Sequence, residues 1–178
     1  SEVKPTTCKS CQSKYIKEFG TGTQKVVETL AAMFPTARIL RMDADTTGSK
    51  DGHGKILRQF EAHEADILVG TQMIAKGHDF ANVTLVGVIA ADTSLHMDDY
   101  RVNEITFQLL TQVNGRAGRH KEGISVLQTY APENYSIQCA VTEDYATFYK
   151  EEIAFRKMAF YPPFAKMLTL MLKCTDEA

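Results

Sequence analysis

The sequence predicts an α/β protein in which helices cover both faces of a mainly parallel sheet. Three observations lead there. Short apolar runs of β character alternate with segments of helical periodicity, and strands joined through helices pair in parallel. The stretch Val83 to Ala91 (VTLVGVIAA) is nearly continuous in apolar residues, as a strand buried on both faces is. Two polar segments, Gly70 to Phe80 and Asp92 to Asp99, follow strands directly, where such sheets collect their ligands.

Taken in order, Thr23 to Met33 (TQKVVETLAAM) has helical periodicity and stops at Phe34-Pro35. Arg38 to Met42 (RILRM) reads as a short strand, and a polar loop with three glycines runs from Asp43 to Gly54. Lys55 to His63 is a second amphipathic helix with Ile56, Leu57 and Phe60 on one face. Asp66 to Gly70 (DILVG) is an apolar strand, Val83 to Ala91 the next, and Tyr100 to Asn114 a long helix. Ile124 to Tyr130 (ISVLQTY) is a further strand, and Tyr135 to Met158 supplies one or two helices. The run Phe160-Tyr161-Pro162-Pro163-Phe164 is a break that no helix crosses. Lys166 to Cys174 (KMLTLMLKC) alternates enough to begin a strand of a following domain, so both ends read as cut.

Composition excludes more than it selects. With 44% hydrophobic and 24% charged residues over 178 positions, the chain resembles an ordinary globular domain. A net charge of −2 leaves any nucleic-acid binding to local patches. No apolar run is long enough to span a bilayer and no signal peptide is present, so a soluble cytoplasmic protein without membrane contact is the expectation. Of the four cysteines, Cys139 and Cys174 sit in apolar sequence, as reduced buried thiols do. Cys8 and Cys11 form a C-x-x-C in a polar, basic stretch. That pair reads either as half of a tetrahedral zinc site or as a free, redox-capable pair.

Two segments carry chemistry. In Gln112-Val113-Asn114-Gly115-Arg116-Ala117-Gly118-Arg119, two arginines stand among glycines and a glutamine. Guanidinium presents a planar fork matched to phosphate oxygens, and glycine lets backbone approach a ligand closely. The segment therefore reads as a grip on a polyanion, or more simply as a helix C-terminus in which glycine ends the helix. Upstream, Thr71 and Gln72 offer a hydroxyl and an amide just past a strand end, suited to phosphate or sugar oxygens. Gly77 permits close approach, and Asp79 is an acceptor for a ribose hydroxyl or water, or else an ordinary helix cap. Neither segment contains a phosphate-cradling G-x-x-x-x-G-K-[S/T] or paired acids for magnesium. If the chain helps hydrolyse a nucleotide, it does so as the second wall of a shared site, with arginines as fingers.

GTQMIAKGHDF resembles motif V, and QVNGRAGR resembles motif VI, of superfamily-two helicases. The surrounding order narrows the likeness. Cys8-Lys9-Ser10-Cys11, Gly20-Thr21-Gly22-Thr23-Gln24-Lys25, Phe34-Pro35, Arg41-Met42-Asp43-Ala44-Asp45, Asp99-Tyr100-Arg101, Val126-Leu127-Gln128-Thr129-Tyr130 and Tyr161-Pro162-Pro163-Phe164 are similar in sequence and order to the primosomal replication-restart helicases, the PriA (primosomal protein N′) family. The likeness covers essentially the whole chain and departs at Asn114, where the family usually has a small residue, and at Ile105, where arginine is common.

The resemblance implies a RecA-like second motor lobe at 20–134, with the end of a zinc-binding insertion at 1–19. It further implies a helical extension at 135–160 and the start of a C-terminal domain at 161–178. It implies an ATP-dependent 3′-to-5′ DNA helicase acting at stalled forks and starting primosome assembly in the bacterial cytoplasm, near the nucleoid. Its partners would be forked and single-stranded DNA, primosome components and single-strand-binding proteins. Arg116 and Arg119 would face the ATP γ-phosphate, with Gln112 orienting them, while Gly77 and Asp79 couple nucleotide to DNA and Thr71 and Gln72 touch the tracking strand. ATP and Mg²⁺ would be held mainly by a first lobe, leaving this fragment inactive alone, and Cys8 and Cys11 would give two of four Zn²⁺ ligands. Asp92, His96 and Arg101 are further candidates for the same interface. The rival readings are another superfamily-two translocase, which would lack the C-x-x-C and the Tyr-Pro-Pro-Phe corner, and a non-catalytic DNA or protein interaction module. A metabolic nucleotide-binding domain would need a glycine-rich loop after its first strand, where MDADTT has none.

Overall fold

The computed structural model describes residues 7, 11–13, 22–43, 46, 52–75, 80, 82–115 and 123–170. The chain forms two compact units, residues 1–80 and 81–178.

In the first unit, helix α1 (Thr23–Met33) precedes strand β1 (Ile39–Met42), and helix α2 (Gly52–Glu61) crosses over to strand β2 (Ile67–Gly70). The strands pair in parallel, from Ile39 opposite Ile67 to Met42 opposite Gly70. Their starts are stapled by Arg38, which donates to the Asp66 carboxylate through its backbone N–H (2.8 Å) and through Nε and Nη2 (3.1 and 2.8 Å). Met42, Leu57 and Ala65 are buried, and Phe80 meets Phe60 edge-on with ring centres 5.0 Å apart. The second helix begins three residues earlier than its periodicity predicts, taking Gly52 and Gly54 into its first turn. Glycine costs about 1 kcal/mol inside a helix, but leucine burial on the same helix outweighs one such cost.

In the second unit, strands β3 (Leu85–Val88) and β4 (Ile124–Leu127) pair in parallel, Leu85 opposite Ile124 and Val88 opposite Leu127. Helix α3 (Val102–Asn114) lies between them in sequence, and helices α4 (Tyr135–Val141) and α5 (Tyr145–Met158) follow. The core gathers Ala91, Phe107, Leu110, Ile137, Cys139, Ala140 and Phe148, with Phe107 and Phe148 stacked at 4.2 Å. Residues of α4 and α5 thus complete the core of this unit. Burial raises the pKa of the Cys139 thiol, which keeps it protonated and unreactive, as its apolar setting predicts.

The apolar run at 83–91 corrects one expectation. It forms a strand over only four residues, exposed alternately rather than buried on both faces, with Leu85 63% and Ile124 66% exposed. Ala90 then adopts a left-handed backbone (φ 54°) and a 3-10 turn occupies Ala91–His96. Continuous apolarity alone does not report which face is covered. A second correction concerns the end of the chain: Lys166 to Leu170 carry no strand, and 171–174 lie outside the described residues.

Helix α4 ends in a Schellman arrangement. Asp144 N–H donates to Cys139 O (2.9 Å), Glu143 N–H donates to Ala140 O (3.3 Å), and Glu143 takes the left-handed position at φ 54°. A residue with a Cβ is strained there, and glycine is not. Glu143→Gly is expected to stabilise the protein by about 0.5–1 kcal/mol, read as a higher urea midpoint at unchanged slope.

Candidate functional site

Two of the residues singled out for DNA contact are placed at the end of β2. The strand stops at Gly70, above which the Met42 carbonyl sits so close that a Cβ would meet it at 2.3 Å. The chain then turns through a 3-10 segment at Gln72–Ala75, with Ile74 N–H donating to Thr71 O (3.1 Å). Thr71 and Gln72 are both exposed, so a hydroxyl and an amide stand together at the carboxyl end of a parallel strand. Gly77 and Asp79 lie outside the described residues.

Gln112 is exposed in the last turn of α3, and Arg116 and Arg119 lie outside the described residues. The helix end is informative nonetheless. Gly115 keeps a right-handed backbone (φ −65°, ψ −1°) and donates to Thr111 O at 3.0 Å. Among the described residues, a Cβ there would meet only that oxygen, at 3.4 Å. Beside it, Asn114 Nδ2 donates to Ala140 O (3.0 Å) and Val141 O (3.4 Å). Nothing local in the sequence announces that bond, because its acceptors lie on another helix.

Asp92 departs from the reading that grouped it with His96 and Arg101 at an interface. Its side chain is 2% exposed and turned inward. It accepts from the Thr129 hydroxyl, from Tyr130 N–H (2.9 Å) and from Ala131 N–H (3.1 Å), pinning the chain after β4 to the 3-10 turn after β3. Burial pushes its carboxyl up, but these three donors outweigh burial and hold it below the usual aspartate value. Arg101 is paired with Asp99 (2.8 Å), whose carboxyl is lowered to about 2 by that guanidinium, and His96 is exposed. Asp92 is thus a structural clasp.

Asp92→Asn is expected to cost about 1–3 kcal/mol, since the amide nitrogen would face a backbone donor. The clasp also fixes a pH dependence. A lowered folded pKa gives a contribution complete above the unfolded value near ~4 and lost as pH falls through the folded one. Acid titration of the melting temperature should therefore separate wild type from Asp92→Asn at neutral pH and bring them together below that window.

For zinc, the described residues offer Cys11, exposed with a free thiol, while Cys8 lies outside them. No cluster of three or more His, Cys, Asp or Glu residues able to hold a metal occurs among the described residues. A tetrahedral structural site needs four ligands, so this C-x-x-C fits half of one. No helix among the described residues is long and apolar enough to cross a membrane.

Residues 11–121 match the helicase conserved C-terminal domain. The chain is 58% identical over 164 residues to the replication restart protein PriA of Bacillus subtilis (strain 168), spanning 92% of this chain and 20% of that protein. It is 49% identical over 178 residues to the replication restart protein PriA of Synechocystis sp., 99% of this chain and 21% of that protein. A third, from Chlamydia trachomatis serovar D, is 44% identical over 96% of this chain and 23% of its own length. The chain therefore spans about a fifth of the length of these curated relatives.

Proposed function

Because this chain belongs to the helicase conserved C-terminal domain family, we propose that it is the second motor lobe of an ATP-dependent 3′-to-5′ DNA helicase that acts at stalled replication forks and starts primosome assembly. The similarity to replication restart proteins, at 58% and 49% identity, supports the choice of substrate. The observation that carries the reading is local: Thr71 and Gln72 stand exposed at the carboxyl end of β2, within the family match. Contacts of that kind, to phosphate and sugar oxygens, let a motor track a strand without reading its sequence.

Arg116 and Arg119 serve as fingers on the γ-phosphate, Gln112 orients them, and Gly77 and Asp79 link nucleotide to DNA. ATP and Mg²⁺ are held mainly by the other lobe, since this chain has no phosphate loop of the G-x-x-x-x-G-K-[S/T] type. Cys8 and Cys11 supply two ligands of a zinc site completed by residues outside this chain. Forked and single-stranded DNA, primosome components and single-strand-binding proteins are the partners of the whole protein, and the bacterial nucleoid is where it works.

The reading is tested on the full-length protein by DNA-dependent ATP turnover. Thr71→Ala combined with Gln72→Ala should weaken stimulation by single strands of any sequence alike, with basal turnover retained. The 178-residue chain alone should not hydrolyse ATP. Full DNA stimulation in the double variant, or robust turnover by the chain alone, would sink the proposal.

A further inference from the structure

Along β4 and its continuation the exposed side chains are Ile124, Val126, Gln128 and Tyr130, alternating with half-buried neighbours. The row changes character where the strand ends. Two aliphatic residues give way to an amide and a phenol, and the phenol of Tyr130 is 75% exposed. The carboxyl ends of parallel strands are where such sheets take their ligands. An amide beside an amphipathic ring suits a flat, hydrated ligand better than a dry protein cover.

The backbone that carries this ring is firmly held. Gln128 N–H donates to Val88 O, and Gln128 O accepts from Ala91 N–H, both at 2.9 Å. The buried Asp92 carboxylate takes the Thr129 hydroxyl, Tyr130 N–H (2.9 Å) and Ala131 N–H (3.1 Å). Ala131 O accepts from Asn134 N–H (3.0 Å), and the Asn134 side chain caps α4 by accepting from Ser136 N–H (2.9 Å). Each residue from 128 to 131 is thus tied to the end of β3, to the turn after it or to the start of α4. The ring itself stands outside the core, which gathers around Phe107 and Phe148. Tyrosine on a fixed backbone has only two torsions left to lose, so a contact through its face costs little entropy.

We infer that Tyr130 is a stacking residue for single-stranded DNA, its ring offering a face to one base of the unpaired strand. The inference rests on the proposed action of the protein on such strands. It adds a kind of contact that Thr71 and Gln72 do not supply. Those two are assigned to phosphate and sugar oxygens, whereas stacking holds the plane of a base. Every base has a π-face, so stacking tolerates any sequence, as a motor moving along DNA requires.

The test uses the full-length protein with an oligothymidine strand and an abasic strand of the same length, at fixed salt. Tyr130→Ala is expected to weaken oligothymidine binding about fivefold or more, Tyr130→Leu nearly as much, and Tyr130→Phe by less than about twofold. All three should bind the abasic strand as wild type does. The salt dependence of binding should keep its slope, because no phosphate contact is lost. Thr71→Ala with Gln72→Ala should instead weaken both strands alike, which separates the two assignments. Melting temperatures show which variants are folded, and the leucine and phenylalanine variants carry the test where the alanine variant is not. Wild-type affinity of folded Tyr130→Ala and Tyr130→Leu for oligothymidine overturns the inference. So does an equal loss on both strands, or a raised KM for ATP with strand affinity unchanged. Failure of the wild-type protein to bind either strand removes the reading on which the inference rests.

Discussion

Arg119→Ala in the full-length protein is expected to cut ATP turnover by about 10³-fold or more while ATP still binds. The size follows from what a finger does. Charge spreads over the equatorial oxygens of the transferring phosphoryl group, and a guanidinium placed there is worth about 10³ to 10⁵ in rate. On the proposed finger role the ground state gains less, because a phosphate loop and magnesium on the other lobe would hold the nucleotide. A planar, permanently charged fork is also hard to replace, so Arg119→Lys should recover only part of the loss. Single-turnover hydrolysis together with binding of a fluorescent nucleotide separates the two effects. Turnover close to wild type would end the assignment, and loss of binding in proportion to turnover would make Arg119 a ground-state ligand instead.

The second large effect is on stability. Gly70→Ala is expected to cost about 3 kcal/mol or more, because the added Cβ would lie 2.3 Å from Met42 O and 2.5 and 2.8 Å from Ile74 side-chain atoms. Whole domains have only about 5–15 kcal/mol to lose. The Ile74 side chain can move aside, but the Met42 carbonyl belongs to the neighbouring strand, paired opposite Gly70. Trimming the flexible neighbour, in Gly70→Ala with Ile74→Ala, should therefore recover only a fraction of the loss. Urea denaturation read by far-ultraviolet dichroism decides it. A midpoint shift worth less than about 1 kcal/mol would mean that the strand end gives way more easily than overpacking usually allows.

Much of the architecture was legible because local signals agreed. Helix α1 runs from Thr23 to Met33 as its periodicity and the following Phe34-Pro35 predict. The crossover order of strand, helix and strand predicts parallel pairing, and both pairs are parallel. Misreadings arose where one signal was trusted alone. Gly52 and Gly54 read as loop, yet a helix tolerates them in a first turn whose N–H groups lack intrahelical partners anyway. The run at 83–91 read as fully buried, although apolarity says nothing about which face is covered. Asp92 read as a surface ligand because it follows a strand, where catalytic and structural carboxylates look alike until their donors are seen.

The candidate site divides along the same line. Thr71 and Gln72 were placed by a strand end, a feature that sequence reports well, and the structure sets them there exposed. The motifs carrying Arg116, Arg119, Gly77 and Asp79 are recognisable by residue type and spacing, but those four positions lie outside the described residues. Asn114 showed only as a departure from a family pattern. Its meaning depends on carbonyls 26 and 27 residues away, a distance over which no local pattern operates.

The far end of α3 has a consequence of its own. Arg156 on α5 donates to Glu152 and to Glu104 of α3, both at 2.7 Å, lies over the Tyr100 ring at 5.2 Å and reaches the Pro162 carbonyl at 3.5 Å. Glu152 in turn accepts from the Tyr135 hydroxyl, so one guanidinium joins the start of α3, the start of α4, the body of α5 and the proline corner. Mechanically this is a rivet. The proline corner is thereby tied to the start of α3 through side-chain hydrogen bonds as well as through the backbone.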